Sequence, residues 1–162
     1  MRSLDEVVGQ DLLWTPSKSA RRSYELRAGE ELVGTLSWQR GSLAVADIAD
    51  RHWTFKREGF WHPRVTVRVA GSASDIAIFR PGWSGAGTLE LSPSRRIQWS
   101  APNMWHTQWA WQETDGRPLV HFKGRQGWTK HEGYVEVEPG ATALPELPLL
   151  VSLGWYLLVL LA

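Results

Sequence analysis

The side chains that could do chemistry in this chain are arginines, and their grouping favours phosphate binding over catalysis. Two arginine doublets stand beside predicted strand starts, and two more arginines alternate on one strand face. A guanidinium group is a planar fork that matches the oxygens of a phosphate. We therefore predict a basic patch for anionic phospholipid or another ligand, unless carboxylates on adjacent strands neutralise it. Its residues are Arg21, Arg22, Arg64, Arg68, Arg95 and Arg96.

Motifs of catalysis and of metal binding are weak or absent in the sequence. Ser84 lies in Gly-Trp-Ser-Gly-Ala-Gly, which misses the Gly-x-Ser-x-Gly nucleophile elbow by one position. The histidines do not fall at metal-ligand spacing. They are His52, His62, His106, His121 and His131. The sequence therefore predicts no catalytic residue, no metal and no cofactor, which makes an enzyme the least favoured class.

The composition narrows the classes of protein to which this chain can belong. The chain has 162 residues, which suits one domain, and its 18 Lys and Arg nearly balance its 17 Asp and Glu. It therefore lacks the overall positive field that favours nucleic-acid binding, and no nucleic-acid partner is predicted. The absence of cysteine excludes disulfides and thiolate sites. Because no secretory signal precedes the first strand, we expect a cytoplasmic protein that can also lie at the membrane periphery.

Tryptophan is the compositional anomaly, with eleven residues spread from Trp14 to Trp155. Their wide spacing indicates core and strand-face positions, with Trp38, Trp53, Trp99 and Trp109 among the most buried. Trp105, Trp109 and Trp111 are predicted to share one strand face. The alternative is an exposed stacking platform for carbohydrate or bases.

The elements that must position these residues read as about twelve short strands between residues 12 and 138. Apolar and polar residues alternate with a period of two, and Gly, Pro, Asp and Ser interrupt the runs. The clearest example is Val65, Val67 and Val69, which alternate with Arg and Thr. Asp50-Arg51-His52 is predicted to be the polar connection between the fourth and fifth strands.

The C-terminal segment has a different pattern, because residues 149–162 are apolar on all sides. A helix of this kind is either a membrane span or the centre of a larger core. Its fourteen residues would extend about 21 Å, whereas a bilayer core is about 30 Å thick. We therefore predict a buried helix over about 146–161, with a C-terminal membrane anchor as the alternative. Gly154 indicates a close approach of a strand or a large side chain to this helix.

This order of elements resembles the tubby C-terminal-like superfamily, which includes tubby proteins, phospholipid scramblases and LURP-one-related proteins. The resemblance covers residues 12–162. It is carried by the early hairpin of residues 24–27 and 34–38, the strand pair 43–48 and 53–55, and the helix of residues 149–161. It implies a closed antiparallel barrel of twelve strands around a hydrophobic helix, in agreement with the strand pattern.

The resemblance also implies functions, which differ among its members. Tubby domains bind phosphoinositide headgroups through basic strand residues, and scramblases act on phospholipids with calcium. This chain has neither the cysteine run used for lipidation nor an Asp/Asn-rich calcium loop. We therefore predict a non-enzymatic barrel that binds anionic phospholipid or another ligand at the membrane surface. The alternative is a structural or scaffolding barrel with no small ligand.

Overall fold

Twelve sequential antiparallel strands close into one barrel, and an α-helix follows them in the chain. The computed structural model describes residues 4–7, 9, 11–82, 85–92, 94–101, 108–124 and 132–160. The strands are β1 (Leu12–Pro16), β2 (Ser23–Ala28), β3 (Glu31–Arg40), β4 (Leu43–Ile48), β5 (Arg51–Glu58), β6 (Arg64–Val69), β7 (Asp75–Pro81), β8 (Gly87–Ser92), β9 (Arg95–Ser100), β10 (Gln108–Gln112), β11 (Pro118–Gly124) and β12 (Gly133–Val137), and the helix is α1 (Leu147–Leu160).

Each strand pairs with its neighbours in the chain, and the first strand closes the barrel against the last. Leu12 of β1 lies opposite Ala28 of β2 on one side and Val135 of β12 on the other. Short turns suffice for this antiparallel order, because each strand begins where the previous strand ends. The predicted fold class, a closed antiparallel barrel with a C-terminal helix, is confirmed.

Most strands alternate buried and accessible residues, and β3 departs from the strict alternation that predicts Leu32, Leu36 and Trp38 on one face and Val33, Thr35 and Ser37 on the other. The alternation places Val33 on the polar face, yet it is completely buried. The pairing of β2 with β3 shifts between Leu26 and Arg27, which face Gly34 and Leu32 and leave Val33 without a residue opposite. This bulge turns Val33 into the core.

The connection between β4 and β5 is also shorter than predicted. Arg51 and His52 were assigned to a polar connection, but both belong to β5 and pair with Ile48 and Asp47. Ala49 takes a positive φ of 54° at this turn. The strand therefore extends to a tight turn even though its first two residues are polar.

Helix α1 lies inside the barrel and is buried on all of its faces along most of its length. Its buried residues are Leu147, Leu149, Leu150, Val151, Ser152, Leu153, Gly154, Trp155, Tyr156 and Leu157. Hydrogen bonds join it to the barrel wall: Trp111 Nε1–H donates to the Leu150 carbonyl (2.8 Å) and the Tyr156 hydroxyl donates to the Ser42 carbonyl (2.6 Å). Burial raises the pKa of Tyr156 to about 12, so its phenol stays a donor at neutral pH. The predicted buried helix is confirmed.

No helix among the described residues has the length and apolarity needed to cross a membrane.

The direction of α1 distinguishes the two ends of the barrel. We call the end where the helix begins the entry end and the end where it finishes the exit end. At the entry end, Arg51 Nη1 donates to the carbonyl of Pro145, two residues before the helix (2.7 Å). At the exit end, Val159 and Leu160 lie among residues of the β3–β4 turn and the β5–β6 loop. The β1–β2 turn is at the exit end as well, because antiparallel strands bring alternate turns to the same end.

The aromatic residues fill the space between wall and helix. Trp14 and Trp155 stack at 6.1 Å between ring centroids, as do Trp38 and Tyr156 at 5.3 Å. Of the predicted core tryptophans, Trp38, Trp53 and Trp99 are buried, but Trp109 is only partly buried and stacks on Trp99 from the side of the barrel's exit end. Trp105 lies outside the described residues.

Candidate functional site

The exit end carries a strongly one-sided set of charges. Residues 15–24, 37–44 and 55–66 form three strand-turn-strand units side by side in the barrel. Together they contain seven Lys and Arg residues and one carboxylate, Glu58. We call the seven cations the basic rim: Lys18, Arg21, Arg22, Arg40, Lys56, Arg57 and Arg64. This excess is local, since the whole chain has a net charge of only +1.

Glu58 neutralises only a small part of this charge. Its carboxylate lies 3.6 Å from Arg64 and 3.9 Å from Lys56, which are long distances for ion pairs. Lys56 is exposed and Arg64 is partly exposed, and ion pairs in such positions contribute little energy in water. Arg21, Arg40 and Arg57 are exposed, and no other carboxylate occurs in these three units. These three units therefore carry an excess of positive charge, and Glu25 and Glu132 border them beside Thr15.

Two adjoining pockets lie within the basic rim and share Arg22. The larger, of about 580 Å³, is lined by Arg22 and Arg57 and has Trp38, Val159 and Leu160 as apolar walls. The smaller, of about 330 Å³, is formed by the β1–β2 turn from Pro16 to Tyr24. Cations beside apolar walls suit an amphiphile whose phosphate meets guanidinium groups while its carbon chain contacts the helix end.

The backbone holds Arg22 in place at this site. It adopts a positive φ of 53°, which is uncommon for a residue other than glycine. Its carbonyl accepts from the Trp38 amide (2.8 Å), and its Nη2 donates to the Gly41 carbonyl (2.8 Å). The guanidinium of Arg22 thus bridges the β1–β2 and β3–β4 turns and keeps its other donors available to a ligand.

The structure does not bring the six sequence-predicted arginines together. Arg21, Arg22 and Arg64 lie at the exit end, within the basic rim. Arg95 and Arg96 begin β9 at the entry end, and Arg68 lies near the entry end of β6. The two doublets, which look equivalent in the sequence, are therefore at opposite ends of the barrel.

Arg68 and Arg95 are also engaged by carboxylates. Arg68 Nε lies 2.6 Å from the Asp75 carboxylate, across the β6–β7 turn. Arg95 makes a bidentate pair with Glu113 (2.7 and 2.8 Å) and a second pair with Glu146 (2.7 Å). Hydrogen bonds from Arg95 lower the pKa of Glu113, and the two carboxylates raise the pKa of Arg95. Arg95 thus fastens the start of the helix segment to the barrel wall.

We expect Arg95→Gln to destabilise the fold in a pH-dependent way. The change removes the guanidinium that pairs with both Glu113 and Glu146, which should cost about 1–3 kcal/mol near neutral pH. Because the folded-state pKa of Glu113 is below its ordinary value of 4.5, this stabilisation is present above about pH 4.5 and is lost as the pH falls through the folded pKa. The melting temperatures of the parent and the variant, measured from pH 7 to pH 3, should converge as the pH falls.

The control for this variant is Arg96→Gln, at the exposed neighbouring position. It removes the same charge and should leave the melting temperature unchanged within error. A parent–variant difference that stayed constant down to pH 3 would contradict the assigned role of the Arg95–Glu113 pair.

The entry end has a pocket lined by apolar residues together with Asp50, Arg51, His52 and Glu146. Its volume is about 560 Å³, and Trp53, Ile76 and Leu149 contribute to its lining. Arg51 lies over the Trp53 ring, and His52 pairs with Asp47. Among the described residues, no group of three or more His, Asp or Glu side chains is placed to hold a metal ion. Ser84, His106 and His131 lie outside the described residues.

Sequence reasoning missed two features of the exit end. Arg40 and Arg57 do not belong to an arginine doublet. They lie at the exit end because β3 continues past Trp38 and β5 continues past Phe55. The prediction that the tryptophans take core and strand-face positions is wrong for Trp61, which is exposed together with Phe60, at 83% and 87%. Two adjacent aromatics between Gly59 and Pro63 were the signal that could have identified this loop.

The geometry defines a twelve-stranded antiparallel barrel with a central helix and a basic exit end. No known family model, curated protein or solved structure matches this chain significantly.

Proposed function

We propose that this chain is a non-enzymatic, tubby-like barrel that binds anionic phospholipid at a membrane surface through the basic rim. The observation that carries the proposal is the concentration of seven cations and one carboxylate in three neighbouring units at one end of a nearly neutral chain. Basic residues close to an anionic membrane contribute about 1 kcal/mol each. A one-sided distribution gives this attraction a direction, so that the exit end faces the lipid.

The pockets support a phosphate-bearing headgroup as the recognised chemistry. Arg22 and Arg57 line the larger pocket from different turns, and a guanidinium group suits the oxygens of a phosphate. The apolar walls formed by Trp38, Val159 and Leu160 suit the glycerol and the first carbons of the acyl chains. A scaffolding barrel without a ligand needs neither feature.

The proposal predicts that a triple rim variant, Arg21→Gln, Arg40→Gln and Arg57→Gln, loses affinity for anionic vesicles. All three side chains are exposed and can be changed without opening the core. At about 1 kcal/mol per cation, the partition coefficient should fall on the order of 100-fold. The measurement is co-sedimentation with phosphatidylcholine vesicles that contain phosphatidylserine, or a phosphoinositide in a second series.

The matched control removes three charges elsewhere: Arg68→Gln, Arg96→Gln and Arg117→Gln, all toward the entry end. It has the same net charge as the rim variant and should retain most of the parental binding. Equal losses in the two variants would indicate a nonspecific charge effect and would refute the directed site. If the parent chain binds no anionic vesicles, the proposed function is refuted and the alternative of a scaffolding barrel without a ligand is favoured.

A further inference from the structure

An aromatic pair projects from the exit end beside the basic rim. Phe60 and Trp61 lie in the β5–β6 loop and are the most exposed large apolar side chains among the described residues, at 87% and 83%. The other described tryptophans are buried or partly buried. Exposed aromatics therefore depart from the pattern of this chain, and burying both rings in a partner would be favourable.

The loop presents the two rings as one preformed unit. Their centroids are 5.1 Å apart and their planes are nearly perpendicular, at 88°. Gly59 has a φ of +92°, and a Cβ at this position would lie 2.6 Å from the carbonyl oxygen of His62, so that a glycine is required for so tight a loop. We call Phe60 and Trp61 the aromatic tip.

The surroundings of the aromatic tip specify the chemistry of its partner. Arg57 precedes the loop and Arg64 follows it, and both belong to the basic rim. The half-buried Val159 and Leu160 end the helix at the same end of the barrel. Aromatic rings flanked by cations match the membrane interface, where tryptophan occupies the headgroup level and cations meet lipid phosphates.

We infer that the aromatic tip inserts into the lipid interface and anchors the exit end on the membrane. This inference rests on the proposed function and adds an apolar contribution to it. Because the burial of rings does not depend on charge, the tip's share of the binding should persist at high salt, whereas the share of the basic rim should decline.

Insertion can be measured directly, because the chain has no cysteine. Position 62 is exposed next to the tip, so His62→Cys allows an environment-sensitive NBD fluorophore to be attached with both rings intact. Ala73→Cys, exposed in the β6–β7 turn at the entry end, is the matched control. On vesicles of phosphatidylcholine and phosphatidylserine, the emission at position 62 should shift to the blue and be quenched by spin-labelled lipids. The emission at position 73 should not change.

The energetic test is the double variant Phe60→Ser and Trp61→Ser, compared with Ile76→Ser at an exposed apolar position of the entry end. The tip variant should partition at least about 10-fold more weakly while retaining the parental melting temperature, since both rings are already exposed. Ile76→Ser should bind like the parent. Wild-type partition of the tip variant would overturn the insertion, while loss of binding only in the rim variant would still support the proposed function.

Self-association of the chain is tested by the same variants. Sedimentation of the parent without lipid should show a concentration-independent mass. A lipid-free dimer that the Phe60→Ser and Trp61→Ser changes dissociate would assign the tip to self-association and overturn its insertion into lipid.

Discussion

Removal of residues 145–162 is expected to leave a chain with no cooperatively folded state. The deletion takes away eight large buried apolar side chains, which are Leu147, Leu149, Leu150, Val151, Leu153, Trp155, Tyr156 and Leu157. At about 1.5–3 kcal/mol each, their gross contribution is on the order of 12–24 kcal/mol, an upper bound because unfolded chains already bury some surface. A typical domain has a net stability of only about 5–15 kcal/mol.

The deletion also exposes polar groups of the wall that the helix satisfies. Trp111 would lose its acceptor at Leu150, and Arg95 would lose one of its two carboxylates. The truncated chain should therefore aggregate or show no cooperative thermal transition by circular dichroism. Ser152→Ala is the control inside the helix, because the Ser152 hydroxyl bonds only to carbonyls of its own helix segment. A truncated chain that remained monomeric and unfolded cooperatively would refute the central position of α1.

The second large effect is expected at Gly154, where a single added carbon collides with the wall. A Cβ there would lie 2.4 and 2.5 Å from ring carbons of Phe122 and 3.0 Å from Trp111 Nε1. Both neighbours are fully buried, and Trp111 is held by its hydrogen bond to Leu150. In an exposed helix, Gly→Ala would stabilise by about 1 kcal/mol. Here we expect Gly154→Ala to destabilise by about 1–3 kcal/mol, and Gly154→Leu by more.

Denaturant unfolding measures this effect, and two further variants isolate its cause. Gly140→Ala, at an exposed glycine with open space around it, should be nearly neutral. Phe122→Leu removes the colliding ring atoms, so Gly154→Ala should cost less in that background than in the parent. A Gly154→Ala variant at least as stable as the parent would show that the helix backbone is not packed against Phe122.

Much of the fold could be predicted from the sequence, because it depends on local patterns. Alternation such as that of Val65 and Val67 indicates strands, and residues 149–162, apolar on every side, require enclosure. The exceptions involve pairing between strands. The bulge that buries Val33 arises from the register of β2 against β3, and β5 begins at polar Arg51 because Ile48 lies opposite it. A single strand does not contain this information.

Less of the candidate site could be predicted, because barrel closure decides which charges become neighbours. Arg95 and Arg96 form a doublet that was predicted to bind a ligand. In the structure, Arg95 instead donates hydrogen bonds to Glu146, which is fifty-one residues away in the chain. Arg57 stands beside Glu58 in the sequence and is not part of an arginine doublet. Its place beside Arg22 depends on the order of β2 to β5 around the barrel. The basic rim is thus a property of the closed barrel rather than of any motif.

The central claim, that the basic exit end binds anionic membrane, is tested most directly by vesicle partition of the intact chain at two ionic strengths. Screening shortens from about 30 Å at 0.01 M to about 8 Å at 0.15 M salt. We predict binding to vesicles that contain phosphatidylserine, with a partition coefficient that falls as salt rises, and little binding to phosphatidylcholine alone. Binding that is equal on the two kinds of vesicle, or absent from both at low salt, would contradict the claim.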